Sequence, residues 1–246
     1  MRVGVALSVV LALGACRKDD PESHGGAPES AALGELPRGP ADVEAWNRAH
    51  AARETGDLEL VGIDRSGADL SRIDLSGLDL GKAVLTNATL VGADLRGTKL
   101  GKADLRGADL QRAALDGAIL DHALVSGVVL TDASAEGLRM RWVDLRDADL
   151  RRANLQECDL RGASLVGAIL DEARLDRADL RGADLRGVDL GTTSMTEVDL
   201  RGAKADEATR WPPALGEPLA WGVEVDGVTA KQLVIDAQGQ PARPAE

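Results

Sequence analysis

The apolar positions of this chain recur every five residues. Of the 27 positions divisible by five from Leu70 to Leu200, 23 are Leu; the others are Val125, Ala135, Met140 and Met195. No residue is inserted or lost along that run. A second apolar position lies two residues before each Leu and holds small residues, such as Ala83, Ala88 and Ala103 early and Val128, Val143, Cys158 and Val188 later. Asp commonly precedes the Leu and Gly commonly stands two after it, as in ADLRGADLRG from Ala178 to Gly187.

Neither regular element has this period. Five steps turn about 500° round a helix and scatter the Leu side chains. Five steps along a flat strand put alternate Leu residues in water. Gly in nearly every repeat would also cost a helix about 1 kcal/mol each time. The pattern is satisfied if each pentad makes one short side and then turns a corner. Four sides close a coil, and every Leu points to the axis. Small residues are required at the second inward position because four of them share a level with four Leu. Asp can bond neighbouring backbone N–H groups at the corner, and Gly accepts φ > 0 there. The stretch from Leu60 to Ala205 then makes about seven coils, a rod about 35 Å long at ~4.8 Å per stacked strand.

The repeat resembles the pentapeptide-repeat family, whose consensus is A-(D/N)-L-x-x, over Asp57 to Ala208. That resemblance implies an all-β solenoid, a right-handed quadrilateral β-helix in which each repeat buries its core only against its neighbours. The flanks divide into four further parts. Residues 1–16 read as a signal peptide: Arg2, then the apolar run Val3 to Leu13, then Leu13-Gly14-Ala15-Cys16, which resembles the bacterial lipobox and implies lipidation of Cys16. Arg17 is not the Asp that favours inner-membrane retention in such proteins, so an outer-membrane or periplasm-facing lipoprotein of the cell envelope is implied. Residues 17–39 are a polar tether, rich in Asp, Glu, Pro, Gly and Ser. Residues 40–56 are expected to form a helix, capped by Asp42 and ended by Gly56, with Val43, Trp46 and His50 on one face; VEAWNRAH resembles the helical plug of this family. Residues 209–246 form a C-terminal cap, with Trp211 and Trp221 on the last coil, a hairpin round Asp226-Gly227, and a frayed tail from Gln238. Arg65 takes an axial place at the open edge and is expected to point out.

Phe and Tyr are absent, so Leu and Ala must fill the core. The net charge is −12. Its distribution matters more: residues 64–205 carry 24 acidic and 20 basic side chains, and the flanks hold 17 and 9. Arg141, Arg161, Arg181 and Arg201 recur at twenty-residue intervals and stack beside Asp159, Asp179 and Asp199, which reads as a solvated, self-paired ladder.

One stretch, Ile119 to Val143, departs from the pattern. Its outward positions turn apolar at Ile119, Leu124 and Val129, and Trp142 stacks over His122 and under Gly162 with Arg139 nearby. Ile119, His122, Leu124, Val129, Arg139 and Trp142 are thus candidates for one interaction patch. His24, His50 and His122 fall in the tether, the plug and the outside of the rod. They form no catalytic or metal-ligating group, and the Asp residues recur by period as turn residues. The expectation is a non-enzymatic scaffold without a cofactor, anchored to a membrane through lipidated Cys16 and binding a protein partner. Two alternatives follow: a DNA mimic that binds a type II topoisomerase, which the resemblance suggests and the Arg ladder opposes, or a ligand-binding accessory using the Trp142 face. Nucleic acid is not an expected partner. Family members often dimerise end to end, so Trp211 and Trp221 either close the rod or join two in a homodimer.

Overall fold

Each pentad of the rod satisfies its own backbone, and Ala103 to Gly107 shows how. The computed structural model describes residues 36–52, 60–213, 223–225, 228–229, 234–235 and 241–242. Ala103 N–H donates to Leu100 O at 3.0 Å across the corner. Asp104 N–H donates to Ala83 O of the preceding coil at 2.8 Å, and Leu105 N–H to Leu124 O of the following coil at 2.7 Å. Gly107 N–H also reaches the following coil, at Ser126 O, 3.1 Å away. That leaves Arg106 N–H, which donates to the side-chain Oδ1 of Asp104 at 3.2 Å. The Asp of the repeat is therefore the acceptor for the one donor that stacking leaves over.

Only one residue per side enters a ladder, so the sides are chains of parallel bridges rather than long strands. Four columns result. The first side stacks Asp64, Val84, Asp104, Leu124, Asp144, Ser164, Asp184 and Lys204. The second runs from Asp69 through Val129 to Ile169 and resumes with Asp189, the third runs from Asp74 to Ser194, and the fourth from Asp79 through Ile119 and Arg139 to Asp199. Partners lie twenty residues apart until the last bridge, Asp189 to Arg210, which is twenty-one. The extra residue is absorbed where Asp206 Oδ1 accepts N–H groups from Gly187, Ala208 and Thr209 at 2.9–3.1 Å. The axial residues from Leu70 to Leu200 are all buried, none more than 4% exposed. Corners place their second residue at positive φ, where Gly is the default and fourteen other residues also stand.

Helix α1 spans Pro40–Ala51. It starts on Gly39 with Pro40 at its first position and makes no side-chain cap; Asp42 instead lies in the first turn, and the helix stops at Ala51 with Ala52 as C-cap. Proline's fixed φ presets the first turn and needs no donor there, which makes an Asp cap dispensable. Gly56 lies outside the described residues. Val43, Trp46 and Ala49 are buried. Trp46 Nε1 donates to Asp74 O at 2.7 Å. Asn47 behaves like a short strand: its Nδ2 donates to Arg72 O at 2.8 Å and its Oδ1 accepts Asp74 N–H at 2.8 Å. One amide side chain thus supplies the partner that a preceding coil would give the third side. Arg65 turns away from the axis, and its Nε and Nη2 donate to Leu36 O at 2.9 and 2.7 Å.

At the other end β1 (Lys204–Ala205) pairs in parallel with β2 (Glu224–Val225), which extends the first side by one rung. β2 pairs antiparallel with β3 (Val228–Thr229); the expected turn residues, Asp226 and Gly227, lie outside the described residues. β4 (Val234–Ile235) pairs antiparallel with β5 (Pro241–Ala242). The frayed tail expected from Gln238 onward is thereby corrected over Pro241–Ala242, since the β-branched pair Val234–Ile235 offers it an edge and Pro is tolerated on an outer strand. Trp211 is partly buried against the core; Trp221 lies outside the described residues.

Because Leu155 is fully buried in the continuous core of the rod, Leu155→Ala leaves a void that a rigid ladder closes poorly. It should cost about 2–5 kcal/mol, read as a lower denaturant midpoint with an unchanged slope.

Candidate interaction surface

The repeat sequence DLR builds a closed clamp at the corners. In Asp144-Leu145-Arg146, Oδ1 of Asp144 accepts the backbone N–H of Arg146 at 3.1 Å and its Nε at 2.8 Å, while Oδ2 accepts Nη2 at 2.6 Å. The clamp recurs at Asp94–Arg96, Asp104–Arg106, Asp149–Arg151 and Asp184–Arg186. Hydrogen bonds from the partner Arg, working against burial, hold these carboxyls below the usual carboxylate range.

The arginine ladder is the same device joined between coils. Arg161 Nη2 donates to Asp159 Oδ2 at 2.5 Å and its Nε lies 3.5 Å from Asp179 Oδ2. Arg181 repeats this with Asp179 at 2.5 Å and Asp199 at 3.5 Å. Arg201 closes on Asp199. Arg141, at the other end, reaches Asp121 Oδ2 at 2.5 Å and lies 3.8 Å from Asp159. Charge alternates along the whole edge.

The pentad register places the six patch candidates on different sides. Ile119 and Arg139 pair on the fourth side, Leu124 stands on the first, and Val129 stands on the second between Asp109 and Asp149. His122 and Trp142 occupy the corner between the fourth and first sides. The expected single face is corrected accordingly: residues five apart fall on consecutive sides, so Ile119, Leu124 and Val129 diverge. What remains together is the corner, with Trp142 65% and Leu124 46% exposed. The indole lies over the next coil, where a Cβ on Gly162 would come within 2.1 Å of Trp142 Cε3. Only Gly fits there.

Sequence reading missed Asp121. From Ala114 to Arg139, six successive outward positions carry no Asp, so the local clamp is lost. Asp121 serves the next coil: its Oδ1 accepts Arg141 N–H at 3.2 Å, and its Oδ2 lies 2.8 Å from Arg139 Nε, an approach that is not along the N–H bond. Asp116 does the same for Glu136 N–H at 2.9 Å, and Asp176 for Thr196 N–H at 2.9 Å. The signal was available as an Asp at the corner twenty residues before a corner whose own Asp is missing. Burial opposes ionisation of Asp121, but the bonds from Arg141 and the charge of Arg139 prevail and lower its pKa.

Cys158 fills an inward position, fully buried, with Sγ donating to Ala135 O at 3.0 Å. Burial pushes its thiol well up, away from thiolate reactivity. Among the described residues no three His, Cys, Asp or Glu side chains converge as metal ligands. Cys16 lies outside the described residues.

Asp121→Ala strands two arginines and one backbone donor, and should cost about 1–3 kcal/mol; Asp121→Asn keeps an acceptor and should cost less in denaturant unfolding. Because the folded pKa is depressed, the carboxylate's contribution is complete above its ordinary value of 3.8 and is lost as pH falls through the lower folded value. The stability gap between wild type and Asp121→Asn should therefore stay constant from neutral pH down to the ordinary value and narrow only as the pH falls below 3.8.

The family model for pentapeptide repeats matches residues 68–107, 108–147, 148–187 and 173–209, in eight copies. Proteins of that family form right-handed quadrilateral β-helices. Solved structures similar to the chain include full-length QnrB1, a plasmid-mediated fluoroquinolone resistance protein, at 20% identity and TM-score 0.43, covering 68% of this chain and 91% of that one. HetL, a pentapeptide repeat protein involved in heterocyst differentiation regulation from the cyanobacterium Nostoc sp. strain PCC 7120, is 28% identical at TM-score 0.40, covering 74% and 96%. No curated protein sequence matches the chain.

Proposed function

Since the chain belongs to the pentapeptide-repeat family, we propose that it is a non-enzymatic scaffold of the cell envelope, held to a membrane by a lipid on Cys16 and presenting its outer sides to a protein partner. The observation that carries this reading is the closed bore. At each level the axis is filled by buried Leu and small residues, so recognition falls to the outside, where a rigid ladder holds side chains at fixed intervals. The sequence Leu13-Gly14-Ala15-Cys16 and the polar tether after it supply the anchor.

The alternative of a DNA-like acidic surface finds less support in the geometry. A phosphate column is uncompensated, whereas Asp159, Asp179 and Asp199 are each clamped by arginine. The corner edge is neutral along that stretch.

Cell fractionation tests the anchor. The wild-type chain should partition with membranes and become soluble only in detergent, and its mature form should carry acyl groups by mass spectrometry. Cys16→Ser should abolish acylation while leaving the circular dichroism spectrum of the rod unchanged. Unacylated wild-type protein would remove the anchor from the proposal.

A further inference from the structure

Lys82, Lys102, His122 and Trp142 stand in one column, one per coil, at the second place of the corner between the fourth and first sides. Their φ values are 59°, 60°, 59° and 59°. Gly occupies the same place in the coil before, at Gly62, and in the three coils after, at Gly162, Gly182 and Gly202. The left-handed region costs a residue with a Cβ about 1 kcal/mol, and for an aromatic side chain it is an outlier. Four successive coils hold this strain where Gly would relieve it.

The column is also chemically consistent. The diagonally opposite corner column, which holds Arg72, Arg112, Asp132, Arg152 and Glu172, mixes signs, and Arg152 pairs with Asp132 at 2.7 Å. This one contains no acid. Lys82 and Lys102 follow Gly81 and Gly101, which bring no side chain beside them, and neither ammonium has an ion pair among the described residues. The flanking carboxylates are occupied: Asp104 by Arg106 at 2.6 Å, Asp121 by Arg141 at 2.5 Å and Asp144 by Arg146 at 2.6 Å, with Asp79 4.0 Å from Lys99. Across these four coils, from the outward column of the fourth side to the clamps on the first, seven side chains are cationic and four anionic, in a chain whose net charge is −12. Next to the cations lie two of the four large apolar side chains exposed among the described residues, Trp142 and Leu124.

We propose that this edge is a second membrane contact, laid along an anionic bilayer with Lys82 and Lys102 against lipid phosphates and Trp142 with Leu124 in the interfacial layer. The charges alone would suit any polyanion. The indole and the Leu decide between occupants, because they gain nothing against a soluble phosphate chain and gain burial at a bilayer surface. The column spans about 14 Å at ~4.8 Å per coil, so its groups meet one flat surface together. The acidic remainder of the rod faces elsewhere, and charges beyond about 8 Å are screened at physiological salt. The proposal draws on the lipid-anchor reading for the nearness of a bilayer: Leu36 is already buried against the core, so 19 residues, 17–35, separate it from Cys16, and a polar linker of that length has a root-mean-square reach of about 24 Å, which makes a weak second contact effectively intramolecular. The lipid and the basic, apolar edge would then act as the two signals that stable attachment requires.

The test uses the purified full chain with Cys16→Ser, so that no acyl group contributes, on vesicles of zwitterionic lipid with and without about 30% anionic lipid. Two variants restore the residue already found in this column: Trp142→Gly, and Lys82→Gly combined with Lys102→Gly. Both should keep the thermal midpoint or raise it, because each removes a left-handed side chain. Both should lower affinity for anionic vesicles by about tenfold or more, and brominated lipid should quench the indole emission that disappears in Trp142→Gly. The leader segment is common to all these proteins, so it cannot produce the difference. Unchanged vesicle affinity in both variants, equal binding to purely zwitterionic vesicles, or failure of brominated lipid to quench Trp142 would overturn the proposal. Loss of a captured protein in Trp142→Gly with vesicle binding intact would also overturn it, in favour of a protein occupant. Acylation of Cys16, measured separately in cells, fails or holds without changing any of these readings.

Discussion

One backbone donor per pentad decides most of what this chain can vary. Stacking of coil on coil satisfies three of the five N–H groups, as Asp104, Leu105 and Gly107 show, and a fourth, that of Ala103, is satisfied across its own corner. The fifth, on the first corner residue, points along the turn and finds no carbonyl in either neighbouring coil. A buried or half-buried amide without an acceptor costs about 1–3 kcal/mol, and the debt recurs at every corner. A short carboxylate one residue before the axial Leu meets it locally. That carboxylate then draws in an arginine two residues on, because Nε and Nη2 reach its two oxygens in a bidentate fork. The composition of the rod, rich in Asp and Arg yet close to neutral, follows from this one hydrogen bond.

The irregular stretch is intelligible on the same terms. Once Ala114, Ile119, Leu124, Val129, Ser134 and Arg139 replace Asp on the outward positions, the corners after them lose their local acceptor. Asp116 and Asp121 recover two of them from the preceding coil, and Asp121 does so while compensating both Arg139 and Arg141. Substitution of the clamp by a carboxylate twenty residues earlier keeps the ladder intact, so the outward side chains there are released from backbone duty. Leu124 and Trp142 are exposed in the longest stretch where the corner chemistry no longer dictates what stands outside.

The course of the rod was legible because its constraint is repetitive. Axial Leu, small inward residues and the stacking of positions twenty apart could all be read from spacing, as could the pairing of Arg161 and Arg181 with the Asp column. What spacing concealed was direction. Ile119, Leu124 and Val129 look alike in the sequence, but a right angle every five residues sends them to three sides. The forward reach of Asp121 was hidden because it depends on what is missing at position 139. At the N-terminal end, Trp46 was visible as an apolar plug, while the strand-like role of Asn47 depends on the edge left by Arg72 and Asp74 and has no sequence signature. The pairing of Pro241–Ala242 was obscured because composition alone read that segment as a tail.

Corner strain offers a way to separate retained chemistry from tolerated drift in a repeat this regular. An axial Leu is explained by packing and an outward Asp by the corner amide, so neither says anything about partners. A side chain at the left-handed place has no structural duty, since Gly fills that place at fourteen corners. Some of the alternatives are still accounted for by their neighbours, as Arg152 is by Asp132 and Arg177 by Glu157. Lys82, Lys102 and Trp142 are not. Their positions are strained, their charges unpaired among the described residues, and the indole occupies a site whose neighbour, Gly162, must lack a Cβ to admit it. Structure alone gives no return for that expense of conformational energy, which places its return at whatever surface the edge meets.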